Sequence, residues 1–133
     1  MPTTKLAANR WIRNYTKAWT GKDAKVIASL FAEDASYHSH PFRPAHSGRK
    51  GVLEYTLGAM DVQEVYEVRF GKPVVEGSRA AVEYWTTMKE KTEDVTLAGC
   101  VMLHFTKNGL CKELRDYWVL KPGRESAPPT WGR

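Results

Sequence analysis

Between Leu6 and Thr20 the bulky residues Trp11, Tyr15 and Trp19 recur four apart, flanked by Ala8 and Ala18. That spacing makes one face of a helix apolar, and Gly21 ends it. Asp23 is placed to cap a short second helix carrying Val26, Ile27, Leu30 and Phe31. A brief alternating segment, Ala35 to His40, reads as a strand stopped by Pro41 and Pro44. Gly48 to Met60 then reads as a third helix, with Val52, Leu53, Tyr55 and Leu57 available for packing.

After Met60 the period changes to two. Val62 to Phe70, Val74 to Val75, Ala80 to Lys91, Val95 to Thr106 and Cys111 to Leu120 all read as strands. Hairpin signals separate them: Gly71-Lys72-Pro73, Glu76-Gly77-Ser78, Glu93-Asp94 and, sharpest, Asn108-Gly109 between apolar flanks. From Pro122 to Arg133 the chain is rich in Pro and Gly and predicts an irregular tail, with Trp131 as an anchor. Helices first and a long antiparallel meander afterwards is an α+β order, in which three helices cover one face of a curved sheet. No internal repeat and no linker interrupts residues 1–133, so one domain is expected, irregular from about residue 122.

Composition narrows the class without naming a chemistry. A length of 133 residues suits one core, and five Trp, six Tyr and four Phe supply large buried areas. The net charge is +5, yet Lys and Arg are interrupted by acids, as in Lys89-Glu90-Lys91, so no nucleic-acid partner is expected. Met1 to Asn9 is polar and lacks a secretory pattern, and no run of about 18 apolar residues occurs, so no membrane partner is expected. With Cys100 and Cys111 as the only cysteines, the expectation is reduced thiols and a cytoplasmic protein.

Three early segments and a late one carry a resemblance. They are Tyr15…Trp19-Thr20-Gly21-Lys22-Asp23, Leu30-Phe31-Ala32-Glu33-Asp34-Ala35, Ser47-Gly48-Arg49, and Leu97-Ala98-Gly99…His104-Phe105…Asn108-Gly109…Glu113-Leu114-Arg115-Asp116-Tyr117-Trp118. In this order they resemble the nuclear transport factor 2-like, or SnoaL-like, domains over roughly residues 7 to 120. Ser39-His40-Pro41-Phe42-Arg43 and Pro128-Pro129…Trp131 resemble a bacterial subgroup of unassigned reaction. The resemblance implies a cone-shaped α+β barrel, with a pocket at the wide end. The class includes isomerases, cyclases, epoxide hydrolases, dehydratases and non-catalytic binding modules, so the fold does not give the function.

Against the ketosteroid isomerase members the resemblance implies three slots. A tyrosine and a protonated aspartic acid form the oxyanion hole there, and a second aspartate is the base. Tyr15, eight residues before Asp23, fits the tyrosine slot; His40, before Pro41, takes the base slot; Leu103, before His104-Phe105, takes the acid slot. Leucine cannot donate a hydrogen bond, so this reading excludes a ketosteroid isomerase. The polyketide cyclase members carry their acid/base aspartate on the last strand, and here that is Asp116.

Alternation predicts which strand residues face inward: Val82, Tyr84, Thr86 and Met88, then Val101, Leu103 and Phe105, then Leu114, Asp116, Trp118 and Leu120. A one-residue slip would exchange the set for Glu83, Trp85 and Thr87. Burial would raise the pKa of an inward Asp116, suiting it to acid/base work; the alternative is a salt bridge with Arg115, Arg69 or a helix residue. His40 is either a base or a rim residue, since imidazole suits acid/base work, and Tyr15 is either a ligand contact or core. Trp19, Tyr37, Phe42, Tyr84, Leu103 and Trp118 complete the expected ligand-binding set. Arg43 either clamps an anion or takes a surface ion pair, the commoner fate.

His38, His40, His46 and His104 do not make a three-ligand set by spacing, and no metal or other cofactor is expected. Cys100 alternates with Val101 and so faces away from the pocket. The expected function is therefore a small-molecule binder in an apolar, aromatic pocket, with cofactor-free isomerase, cyclase or hydratase chemistry. Its rival is a non-catalytic homodimeric module that binds a ligand or protein and pairs through the outer sheet face around an exposed Trp85.

Overall fold

The computed structural model describes residues 2–133. Helix α1 spans Thr4–Thr20, its first turn capped by the Thr3 side chain, which accepts from the Leu6 N–H. Helix α2 is Ala24–Ser29, and the Asp23 carboxylate accepts from the Val26 N–H, as the capping signal predicts. Phe31 does not continue this helix; it opens strand β1, Phe31–His38. The first strand therefore starts earlier than the alternation suggested and stops before Ser39-His40. The cause is tertiary: Phe31 lies opposite Cys111, and the Cys111 N–H donates to the Leu30 carbonyl at 2.9 Å.

Strand β2 is His46–Ser47 and helix α3 is Gly48–Asp61. The remaining strands are β3 Gln63–Phe70, β4 Val74–Glu76, β5 Arg79–Glu90, β6 Glu93–Phe105 and β7 Cys111–Pro122. They form one curved sheet in the order β2-β1-β7-β6-β5-β3, with β4 also paired to β5. Every pairing is antiparallel except β1 with β7, which is parallel, so the sheet is mixed. The sheet stays open, since β2 and β3 stand at opposite ends and do not pair. Among the described residues no helix is long and apolar enough to cross a membrane.

The inward register follows the alternation. Val82, Tyr84, Thr86 and Met88 are each at most 2% exposed, packed beneath the helices. Trp11 of α1, Ile27 of α2 and Val52 of α3 close the same core from the helical side.

The outer face departs from expectation at β5. Trp85 is not exposed; only 7% of it reaches solvent, because the C-terminal segment folds back over it. The indole N–H of Trp85 donates to the Glu125 carbonyl at 2.8 Å, and the Trp131 ring meets it edge-on with centroids 5.2 Å apart. The Lys72 N–H donates to the Gly132 carbonyl, and the Arg69 guanidinium to the Trp131 carbonyl. Gly71 and Gly132 touch backbone to backbone: a Cβ on Gly71 would lie 2.2 Å from the Gly132 α-carbon. From Ser126 to Pro129 this segment has no helix or strand, and the Trp131 ring holds it against Trp85.

Candidate functional site

The helices and the inner sheet face enclose a cavity of about 250 Å³. Helix α1 sends in Tyr15 and Trp19, one turn apart on its apolar face, and α3 supplies Tyr55, Thr56, Ala59 and Met60. Strand β1 contributes Tyr37; β5 contributes Tyr84, Met88 and Glu90; β7 contributes Asp116, Trp118 and Leu120. Side chains two apart on a strand share a face, so the register that buries Leu114 also turns Asp116 inward.

Asp116 meets no cation among the described residues. Its carboxylate accepts from the Tyr84 hydroxyl at 2.9 Å, while Arg115 pairs instead with Glu113 at 3.3 Å. Burial among apolar walls raises the Asp116 pKa from 3.8 to about 7, and the Tyr84 hydrogen bond offsets part of that rise. A carboxyl poised there exists in both protonation states near neutral pH and can take up or release a proton. Tyr84 is held well above the usual phenol range, first by burial and then by the Asp116 charge.

Tyr84 reaches Asp116 across an intervening strand. Tyr84 on β5 lies opposite Gly99 on β6, and Gly99 lies opposite Trp118 on β7. With no side chain at position 99, the tyrosine ring passes over β6; a Cβ there would come within 2.6 Å of Cε1 and Cζ.

A second hydroxyl pair faces the same space. Tyr15 and Tyr37 are joined oxygen to oxygen at 3.0 Å. Burial pushes both pKa values up, so both remain neutral phenols. One proton is used between them, which leaves the other free to donate into the cavity. The Tyr15 ring is stacked on Trp11 at 4.4 Å, fixing its position. Trp118 is fixed by its indole N–H, which donates to the Ser39 carbonyl at 2.8 Å.

Six of the nine residues named from sequence line this cavity: Tyr15, Trp19, Tyr37, Tyr84, Asp116 and Trp118. The other three do not. His40 packs edge-on against Trp118 at 5.5 Å, and its Nδ1 accepts from the Phe42 N–H, so the ring is tied to its own turn. Phe42 is 92% exposed at the tip of that turn, where Pro41 and Pro44 carry the chain away from the sheet. Leu103 is inward but only 1% exposed, in the packed core opposite Ala80 and Leu114, while the cavity lies further along β6 at Leu97 and Val101.

The four histidines are dispersed. His38 lies 3.8 Å from Glu113, His46 bonds Ser39 and stacks on Tyr55, and His104 bonds Ser78. Burial raises Cys100, and pushes Cys111 up to about 12; neither lines the cavity.

Sequence reasoning missed the α3 wall and Glu90, while Arg43, weighed there as an anion clamp or a surface ion pair, does line the cavity. Tyr55, Ala59 and Met60 stand at i, i+4 and i+5 on one helical face, a signal present in the sequence. The surface ion pair expected of Arg43 does not form: among the described residues it has no carboxylate within 4.0 Å.

The model for the SnoaL-like domain matches residues 12–114. The chain belongs to the SnoaL-like domain family. Among solved structures, the SnoaL-like chain is similar to SalBIII, described as an epoxide hydrolase/cyclase-like enzyme in pyran ring formation in the polyether salinomycin. The TM-score is 0.76 at 18% identity, over 86% of this chain and 95% of that one. It is also similar to RV0760c from Mycobacterium tuberculosis, with a TM-score of 0.79 at 15% identity, over 92% of this chain and all of the other. No curated protein matches the sequence. At these identities the likeness establishes the fold.

Proposed function

We propose that this SnoaL-like protein binds a small cyclic organic molecule and moves a proton on it with Asp116, in isomerase, cyclase or hydratase chemistry. The observation that carries this reading is the Asp116 carboxyl: enclosed, unpaired with any cation among the described residues, and raised to about 7 beside a neutral tyrosine hydroxyl. Enzymes hold a general acid or base near the working pH by such burial. The free proton of the Tyr15–Tyr37 pair is the donor available to an oxyanion that develops when Asp116 removes a proton from carbon. The volume of about 250 Å³ lies below the common range of about 300–1,000 Å³ for drug-sized ligands, which limits the substrate to one or two rings. The printed description of SalBIII, a cyclase-like enzyme on this fold, is in keeping with such chemistry.

Deuterium exchange tests the proposal. In D2O, the protein should speed exchange at the acidic C–H of a panel of aryl and cyclic ketones, followed by proton NMR. Asp116→Asn should abolish the acceleration. Equal exchange in that variant, or none above buffer with the wild type, overturns the proposal.

A further inference from the structure

Arg43 is a cation in the cavity wall without a counter-ion among the described residues. It follows the Pro41-Phe42 turn after β1, lines the cavity at its mouth, and makes no side-chain hydrogen bond or ion pair among the described residues. Its guanidinium carbon stands 5.8 Å from the centroid of the Trp118 ring. That ring is itself immobilised by the Ser39 carbonyl, so the arginine rests against a fixed aromatic face. With no partner of its own among the described residues, the guanidinium keeps its planar fork of N–H donors available to a ligand in the cavity.

We propose that Arg43 forms a carboxylate subsite, and that the molecule bound in this cavity is a small cyclic or aromatic carboxylic acid. The inference deepens the acid/base reading and rests on it for where the reacting atoms sit. Asp116 and Trp118 share one face of β7 two residues apart, about 7 Å along the strand. A ligand carboxylate on Arg43 at the mouth therefore leaves the ring and its reactive C–H further in, at Asp116 and the tyrosine hydroxyls. A fork of two N–H donors matches a carboxylate, and the aromatic walls of Trp19, Tyr55 and Trp118 suit the ring. Glu90 also lines the cavity, but as a carboxylate it offers a ligand acid no donor, which leaves that role to Arg43.

Three molecules of one skeleton provide the test: hydrocinnamate, its amide hydrocinnamide, and phenylalanine, which adds an ammonium beside the carboxylate. Binding is followed by the fluorescence of Trp19 and Trp118 and by amide chemical shifts. Hydrocinnamate should bind about 10-fold tighter than the amide, as one charge-assisted bidentate contact allows. Arg43→Ala should erase that preference while leaving hydrocinnamide affinity within about twofold, and Arg43→Lys should restore it only in part. Hydrocinnamate that fails to bind, binds no tighter than the amide, or keeps its advantage in Arg43→Ala overturns the subsite. Tighter binding of phenylalanine than of hydrocinnamate also overturns it, assigning Arg43 and Glu90 together to a zwitterion. Asp116→Asn separates the two proposals: it should lose proton exchange yet keep the carboxylate preference. Loss of the preference in Arg43→Ala with no exchange in the wild type sinks the enzyme reading alone.

Discussion

The ring of Tyr84 passes over the α-carbon of Gly99, and only by that route does its hydroxyl reach Asp116 on the far side of β6. The ring cannot retreat, because Tyr84 is 2% exposed and edged by Trp19 and Phe70. Gly99→Ala should therefore cost about 1–3 kcal/mol, the usual range for overpacking, measured by urea denaturation. It should also loosen the Tyr84–Asp116 bond, seen as a rise in the Asp116 pKa by carbon-13 NMR.

Tyr84→Phe isolates the hydrogen bond from the packing. The Tyr84 hydroxyl stabilises the ionised form of Asp116 and lowers its pKa against the effect of burial. Removing it should move the Asp116 titration upward from about 7, with the fold kept. A titration that moves down would show that the bond is made to the neutral acid instead.

Stability should depend on pH through the same carboxyl. Asp116 rises from 3.8 to about 7 on folding, so between those values the native state holds a proton that the unfolded chain has released. Stability from this group is fully present below about 4 and falls as pH rises through about 7, by a few kcal/mol at most. Asp116→Asn removes that dependence. Its melting temperature relative to wild type should therefore improve from pH 5 to pH 8, measured by calorimetry; a constant difference would place the native pKa near its unfolded value.

The Tyr15–Tyr37 pair should show strong coupling. Tyr15→Phe or Tyr37→Phe alone strips the partner of its hydrogen bond in a buried setting and should cost about 1 kcal/mol or more. The double variant leaves no orphan and should cost less than the sum of the two. A double-mutant cycle by denaturation gives the coupling directly, and additive costs would mean that each hydroxyl is satisfied independently.

Trp131→Ala should uncover Trp85. Loss of this half-buried indole should destabilise the fold by about 1–2 kcal/mol and shift the Trp85 emission to the red. Unchanged emission would mean that Glu125 and its neighbours shield Trp85 without the Trp131 ring.

The chain's periodicities determined much of this. A spacing of four around Trp11, Tyr15 and Trp19 made α1 and aimed two of those rings at the cavity. Strict alternation from Ala80 to Leu120 put Tyr84, Asp116 and Trp118 on the inner face, because a strand has no other way to direct its side chains. Periodicity is a local property, and wherever a local rule sufficed the reading agrees with the structure. What only the tertiary structure decided depends on which segments meet. Pairing with β7 turned Phe31 from helix to strand, and the returning tail buried Trp85. Where along its inner face the sheet leaves space also placed Leu103 in packed core and Arg43 at an open mouth. Contacts between residues distant in sequence set these outcomes, and no spacing along one chain encodes the distance between two strands that have yet to meet.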